Sequence, residues 1–114
     1  MKFLYGKHYE ARYRAIAENI LPNSSVVELC AGDAYLYQNY LKKKGILYTG
    51  LDINPMFVRS AARKKISFFK HDLLTDPVPS ADYVVIQASL YQFMPNEREV
   101  ICKLLNAAKS TLII

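Results

Sequence analysis

Short apolar segments alternate with longer amphipathic ones along the chain, and this alternation limits the fold more than any other feature. The apolar segments read VVEL, ILYTGLDI, ISFFK, DYVVIQA and TLII, and turn residues separate them. Such a pattern predicts five strands joined by helices or loops. Strands this apolar are buried on both faces, so we predict a mostly or wholly parallel sheet with helices on each side.

The connections between the strands carry helix signals. The predicted helices cover residues 7–20, 34–44, 54–64 and 95–109. Gly45 stands where a left-handed residue closes the second helix, and Asn54-Pro55 is a typical helix start. Prolines instead of a helix follow the third strand. With 114 residues, the chain is expected to form one α/β domain over residues 1–114.

Composition excludes several classes of protein. No apolar run is long enough to span a bilayer, and the N-terminal residues lack a signal-peptide core, so we expect a cytoplasmic protein. The two cysteines and two histidines have no metal-ligand spacing, and no metal site is predicted.

The net charge of +5 raises the question of nucleic-acid binding. The basic residues cluster at 42–44 and 63–65. Both clusters fall at predicted helix C-termini, where cations complement the helix dipole. We therefore interpret them as solvated helix ends, and the sequence argues against a nucleic-acid partner.

Three acidic residues mark the ends of successive strands. Glu28 lies near the end of the first, Asp52 ends the second and Asp72 follows the third. The carboxyl ends of parallel strands meet at one edge of the sheet, where ligands of such folds bind. One acid there is commonly a helix cap, but three in series favour a binding site.

The turn after the first strand, CAGDA, decides between ligand classes. A dinucleotide fingerprint, G-x-G-x-x-G, would place glycines at Cys30, Gly32 and Tyr35, and two of these are not glycine. Asp33 is a predicted N-cap whose carboxylate would stand where a phosphate must sit. No Gly-Lys-Ser/Thr follows the strand, so a P-loop is excluded as well. A ligand that carries positive charge and no phosphate, such as S-adenosylmethionine, suits these acids better.

The ordered motifs resemble class I S-adenosylmethionine-dependent methyltransferases over essentially the whole chain. VVELCAGDAYL resembles the first motif of that family, YTGLDINPMFVRSAARK the second, FFKHDLLTDPVP the third and ADYVVIQASLYQF the fourth. The resemblance implies a Rossmann-like sheet in the order 3-2-1-4-5 and S-adenosyl-L-methionine as the cofactor.

The resemblance also assigns roles by position. Cofactor contacts are implied for Glu28, Cys30, Ala31, Gly32, Asp33, Asp52, Ile53, Asp72, Leu73 and Gln87. The methyl-acceptor side is implied for Ser89, Tyr91 and Tyr9. Tyr9 also belongs to a tyrosine stripe, with Tyr5 and Tyr13, that is more typical of a helix packing on the core.

The sequence departs from the family pattern at two places. Cys30 and Ala34 occupy positions where glycine is usual, so we expect the turn to avoid positive φ there. The chain also ends within the fifth strand, whereas the family fold continues, so the C-terminal part of the usual fold is expected to be absent. An apolar edge strand would then be exposed and could pair with a second copy.

The acceptor class is predicted from one segment. QASLYQF lacks the NPPY-like pattern of amino-methyltransferases that act on nucleic acids, which favours a small-molecule acceptor. His71 and Tyr91 are the candidates for a general base, if the acceptor must lose a proton. One alternative is a non-catalytic or truncated cofactor-binding module. The other is an RNA methyltransferase, which only the net positive charge supports.

Overall fold

The computed structural model describes residues 2–87 and 95–114, with side chains from residue 10 onward within these ranges. Its elements in chain order are α1 (Lys2–Glu18), β1 (Ser25–Leu29), a π-helical segment (Tyr37–Leu41), a 3-10 helix (Lys42–Lys44), β2 (Leu47–Asp52), α2 (Pro55–Arg63), β3 (Phe68–Lys70), β4 (Ala81–Ile86), α3 (Glu97–Ala107) and β5 (Ala108–Ile113). All five predicted strands are present.

The strands form one sheet in the order β3-β2-β1-β4-β5, as predicted, and every pairing is parallel. The central strand β1 places Val27 opposite Thr49 of β2 and opposite Val84 of β4. The chain therefore reverses its direction of travel across the sheet at β1, and the carboxyl ends of β1, β2 and β3 lie side by side.

Each face of the sheet carries its own hydrophobic core because side chains alternate along a strand. Val26, Tyr48 and Val85 lie on the face covered by α1, the segment 37–44 and α2. The opposite face, with Val27 and Val84, is covered by α3. The predicted three layers are confirmed.

Helix α2 begins as its sequence predicts. The Asn54 side chain accepts a hydrogen bond from the backbone N–H of Met56 at 2.9 Å, and Pro55 occupies the first turn. Gly45, also as predicted, adopts a left-handed conformation with φ of +68°.

Three predicted helices needed correction. The first, predicted at 7–20, spans Lys2–Glu18. The second predicted helix, 34–44, is distorted: its central turn is π-helical and its last turn is a 3-10 helix. The last helix ends at Ala107 rather than Lys109, and β5 follows at once. Ala108 pairs with Ala81 of β4, so pairing in the sheet overrides the helix propensity of this stretch.

The lysines at 42–44 lie at a helix end, as interpreted from sequence, but one of them caps a different helix. The Lys44 ammonium donates to the carbonyl oxygens of Ala17, at 2.6 Å, and of Ile20. The Ala17 carbonyl lies in the last turn of α1, where it also accepts from the N–H of Ile20, and the Ile20 carbonyl lies just beyond the helix. Lys44 therefore ties α1 to the start of β2.

Candidate functional site

A cavity of about 370 Å³ opens at the carboxyl edge of β1, β2 and β3. Its lining comprises Cys30, Gly32, Leu51, Asp52, Ile53, Asn54, Phe57, His71, Asp72 and Leu73. The volume falls within the range typical of small-molecule sites. Six of the ten predicted cofactor residues line it; Glu28, Ala31, Asp33 and Gln87 do not.

The turn between β1 and the helical segment has an unusual backbone. Cys30, Gly32 and Ala34 all have positive φ, at +53°, +59° and +59°. The expectation that Cys30 and Ala34 would avoid this region was wrong. Left-handed backbone costs a non-glycine residue roughly 1–2 kcal/mol, so the surrounding contacts must hold the turn in place.

Backbone hydrogen bonds anchor this turn to β2. The N–H of Ala31 donates to the Leu51 carbonyl at 3.0 Å, and the N–H of Gly32 donates to Oδ2 of Asp52 at 2.9 Å. A Cβ built on Gly32 would meet no atom within 4 Å. The Gly32 backbone thus faces open space on the cavity side, and a ligand can approach it closely.

Asp52 joins the two turns that border the cavity. Its Oδ2 holds Gly32, and its Oδ1 accepts from the N–H of Asn54 at 3.0 Å. A carboxylate has about four acceptor positions, so both oxygens retain capacity for a ligand. The residue that ends β2 is therefore both a structural link and a hydrogen-bond acceptor in the cavity wall.

Glu28 has a different environment from the one its sequence position suggests. Its side chain is only 4% exposed and accepts a 2.6 Å hydrogen bond from the Tyr48 hydroxyl. Burial raises the pKa of Glu28 to about 8, with the nearby Asp33 and Asp52 adding to the rise. Glu28 is thus a largely protonated acid below the cavity at neutral pH.

The third strand supplies the remaining wall. Oδ1 of Asp72 accepts from the N–H of Leu74 at 3.0 Å, while Leu73 is buried beneath it. Nε2 of His71 lies 2.9 Å from the carbonyl oxygen of Pro77. Because a carbonyl only accepts, Nε2 carries the proton, and Nδ1 is the acceptor of a neutral His71. Phe69, the aromatic residue of β3 next to this wall, is 57% exposed and does not line the cavity.

The other predicted residues have varied positions. Ala31 is buried and Asp33 is exposed, with Oδ1 of Asp33 accepting from the N–H of Tyr35 at 3.2 Å. Because Ala34 between them has φ of +59°, this bond closes an Asx turn and Asp33 is not the predicted N-cap. Gln87 is half-buried after β4. Ser89, Tyr91 and the side chain of Tyr9 lie outside the described residues.

Sequence reasoning missed three lining residues, Leu51, Asn54 and Phe57. Leu51 is hidden within a strand pattern. Asn54 and Phe57 lie at the start of α2, directly above the carboxyl edge, and the predicted helix start could have indicated them.

A tyrosine cluster joins α1 to the turn. The ring of Tyr13 lies 4.8 Å from that of Tyr35 and 6.3 Å from that of Tyr40. The hydroxyls of Tyr35 and Tyr40 both donate to the carboxylate of Glu10 on α1. Tyr13, from the predicted stripe, thus packs against the helical segment and does not line the cavity.

Two kinds of feature are absent from the described ranges. Within residues 2–87 and 95–114, no group of three His, Cys, Asp or Glu side chains could hold a metal ion. None of the helices described there has the length and apolar character needed to cross a membrane.

No family model matches the chain, and a search of curated proteins finds no match either. Solved structures match well. A chain of the complex between the Haloferax volcanii Trm112 methyltransferase activator and a protein described as a methyltransferase superposes with a TM-score of 0.78 at 23% identity, covering 97% of this chain and 53% of that one. The magnesium protoporphyrin IX methyltransferase of Synechocystis, solved with S-adenosylhomocysteine, gives 0.77 at 20% identity, covering 96% and 54%.

The chain therefore has the Rossmann-like fold found in S-adenosylmethionine-dependent methyltransferases, and it spans about half the length of these structures. The same fold occurs with other chemistry. The [4+2]-cyclase SpnF matches with a TM-score of 0.75 at 19% identity, covering 87% of this chain and 41% of that chain. Fold similarity alone thus leaves the reaction to be argued from the site.

Proposed function

We propose that the chain binds S-adenosyl-L-methionine in the cavity at the carboxyl edge and belongs to an enzyme that methylates a small molecule. The observation that carries this proposal is the turn at residues 30–34. It keeps a left-handed backbone at all three glycine positions of the family motif, although only Gly32 is a glycine.

The chemistry of the wall supports a cationic ligand without phosphate. Asp52 and Asp72 both line the cavity, and carboxylates attract a sulfonium or an ammonium and repel a phosphate. Leu51, Phe57 and Leu73 add apolar surface suited to a purine ring. A polar edge beside an apolar wall fits an adenosyl ligand.

The residues of this chain have distinct proposed tasks. Asp52 accepts from ribose hydroxyls, Asp72 accepts from the adenine amino group, and the exposed backbone of Gly32 lets the methionine part approach. Gln87 follows β4 beside the cofactor, and Ser89 and Tyr91 are proposed for the acceptor side. The cofactor supplies an electrophilic methyl group when it is bound.

A base is needed only for an acceptor that must lose a proton. His71 lines the cavity, and its Nδ1 can accept a proton while Nε2 stays bonded to Pro77. Tyr91 remains the alternative proposed base.

Calorimetric titration with S-adenosylhomocysteine tests the binding proposal. Wild type should show saturable binding that Asp52→Asn weakens at least about ten-fold, as expected for loss of a charged hydrogen-bond acceptor. Asp82→Asn is the matched control, since it removes the same charge near the start of β4, at the opposite edge. A folded wild-type chain that binds no S-adenosylhomocysteine would refute the proposal.

Activity is tested separately from binding. The wild-type chain is incubated with radiolabelled S-adenosylmethionine and a panel of small hydroxylated and amine acceptors. Transfer of label supports the small-molecule enzyme. Binding without transfer to any acceptor favours the alternative of a non-catalytic cofactor-binding module, and transfer to RNA alone favours the RNA methyltransferase.

A further inference from the structure

The strained turn raises the question of what holds it from the side opposite β2. On the β2 side, Ala31 and Gly32 are anchored to Leu51 and Asp52. A backbone with two non-glycine residues at positive φ persists only when its surroundings hold it firmly. A second anchor is therefore expected where the turn enters the helical segment.

That anchor comes from α1. Tyr35 directly follows Ala34, which has φ of +59°, and the Tyr35 hydroxyl donates to Oε1 of Glu10. The hydroxyl of Tyr40, in the π-helical segment, donates to Oε2 of the same carboxylate. One side chain on α1 thus holds two tyrosines that flank the exit of the turn.

The charges around Glu10 agree with this arrangement. The two tyrosine hydroxyls lower the pKa of Glu10, and Arg14 on the next turn of α1 contributes in the same direction. The bond to Glu10 raises the pKa of Tyr35 to about 12. Glu10 is therefore ionised and both tyrosines are neutral donors at neutral pH, so the pair of bonds is charge-assisted.

We infer that Glu10 is a positioning residue, which holds the 30–34 turn in its ligand-ready conformation by binding the Tyr35 and Tyr40 hydroxyls. Ligand affinity and the attachment of α1 are then coupled. This inference rests on the proposed function only for its affinity readout, because the order of the turn is measurable without a ligand.

The variant that tests it is Glu10→Gln, with Glu18→Gln as the control that removes an equal charge from an exposed position on the same helix. Amide hydrogen exchange at Ala31, Gly32 and Ala34 should be about ten-fold faster in Glu10→Gln, as expected when a local contact is lost. The His71 amide, bonded to Asp52 at the other side of the cavity, should not change. Equal exchange in both variants would overturn the inference.

A rescue separates positioning from general stabilisation. Glycine adopts positive φ without the steric penalty of alanine, so Ala34→Gly reduces the dependence of the turn on its anchor. Affinity for S-adenosylhomocysteine should fall about ten-fold in Glu10→Gln, if the ready turn is then only a tenth populated, and should recover in Glu10→Gln/Ala34→Gly. A loss that the glycine does not rescue would contradict positioning through the turn.

Two tyrosine variants complete the test. Tyr35→Phe removes only a hydroxyl next to the turn and should reproduce the exchange pattern of Glu10→Gln. Tyr40→Phe, farther along the helical segment, should have a smaller effect; the reverse order would show that Glu10 acts elsewhere. If wild type binds no S-adenosylhomocysteine, the proposed function fails, and the exchange data alone decide the role of Glu10.

Discussion

The two turns that border the cavity have the same place in the fold but different backbone conformations. Each leads from a parallel strand into a helical segment, and each donates a backbone N–H to Asp52. The turn after β2 uses a regular cap, Asn54-Pro55, and continues into a regular α-helix. The turn after β1 is left-handed at Cys30, Gly32 and Ala34 and continues into a π-helical segment.

This difference shows where the local sequence rules for helix caps and for glycine at positive φ hold. The turn after β2 follows them and the turn after β1 breaks them, although both line the cavity. Local rules fail most often at functional or strained sites. π-Helical turns, too, are frequent at such sites.

The buried acid Glu28, which lies near the end of β1, gives the largest expected effect on the free energy of unfolding. Native Glu28, with its pKa raised to about 8, keeps a proton between its unfolded pKa of about 4.5 and pH 8, whereas the unfolded chain loses it. Within this pH range, the free energy of unfolding therefore falls by about 1.4 kcal/mol for each pH unit. Glu28→Gln removes this slope and keeps an acceptor for Tyr48.

Urea unfolding checks this prediction. Relative to wild type, Glu28→Gln should gain about 3 kcal/mol of unfolding free energy between pH 5 and 7.5. A constant difference between the two proteins over that range would show that Glu28 ionises normally.

Substitution of Asp52 tests whether its carboxylate stabilises both turns. Asp52→Ala removes the acceptor of both backbone N–H groups and should lower the free energy of unfolding by about 2 kcal/mol. Asp72→Ala, at the same edge, removes the acceptor of only the Leu74 N–H among the bonds described and should lose about half as much. Chemical denaturation measures both, and equal losses would contradict a shared support.

Relief of strain is the next effect in size. Cys30→Gly should raise the free energy of unfolding by about 0.5–1 kcal/mol, since the left-handed penalty outweighs the added flexibility of glycine. Lys65→Gly is the matched control, because Lys65 has φ of +58° and is exposed after α2. Both should raise the melting temperature. A gain for Lys65→Gly alone would mean that the Cys30 side chain compensates for its strain.

Loss of the cap in the regular turn should change the free energy of unfolding by a similar amount in the opposite direction. Asn54→Ala removes an N-cap and should lower the free energy of unfolding by about 0.5–1 kcal/mol. Asn54→Ser retains a capping oxygen and should lie close to wild type. A loss well above 2 kcal/mol, measured by thermal unfolding, would show that this turn depends on more than its cap.

Much of the fold could be predicted because its determinants are local. Apolar runs such as YVVI identify strands, and Asn54-Pro55 and Gly45 identify helix ends. The exit of α3 could not be predicted, since Ala108 joins β5 through pairing with distant Ala81.

The site was predictable in part for the same reason. Strand-end position indicated that Asp52 and Asp72 lie at one edge of the sheet, and both line the cavity there. It could not reveal that Glu28 points into the core against Tyr48, or that contacts from β2 and α1 hold Cys30 and Ala34 at positive φ. These depend on residues distant in sequence.

The central claim is that the left-handed turn after β1 forms a ligand site. It is tested most directly by titrating ¹⁵N-labelled protein with S-adenosylhomocysteine and following two glycine amides. Gly32 and Gly45 both have positive φ, but only Gly32 lines the cavity. The Gly32 resonance should shift to saturation while that of Gly45 stays in place. An unmoved Gly32 resonance at saturating ligand, or an equal shift of both, would contradict it.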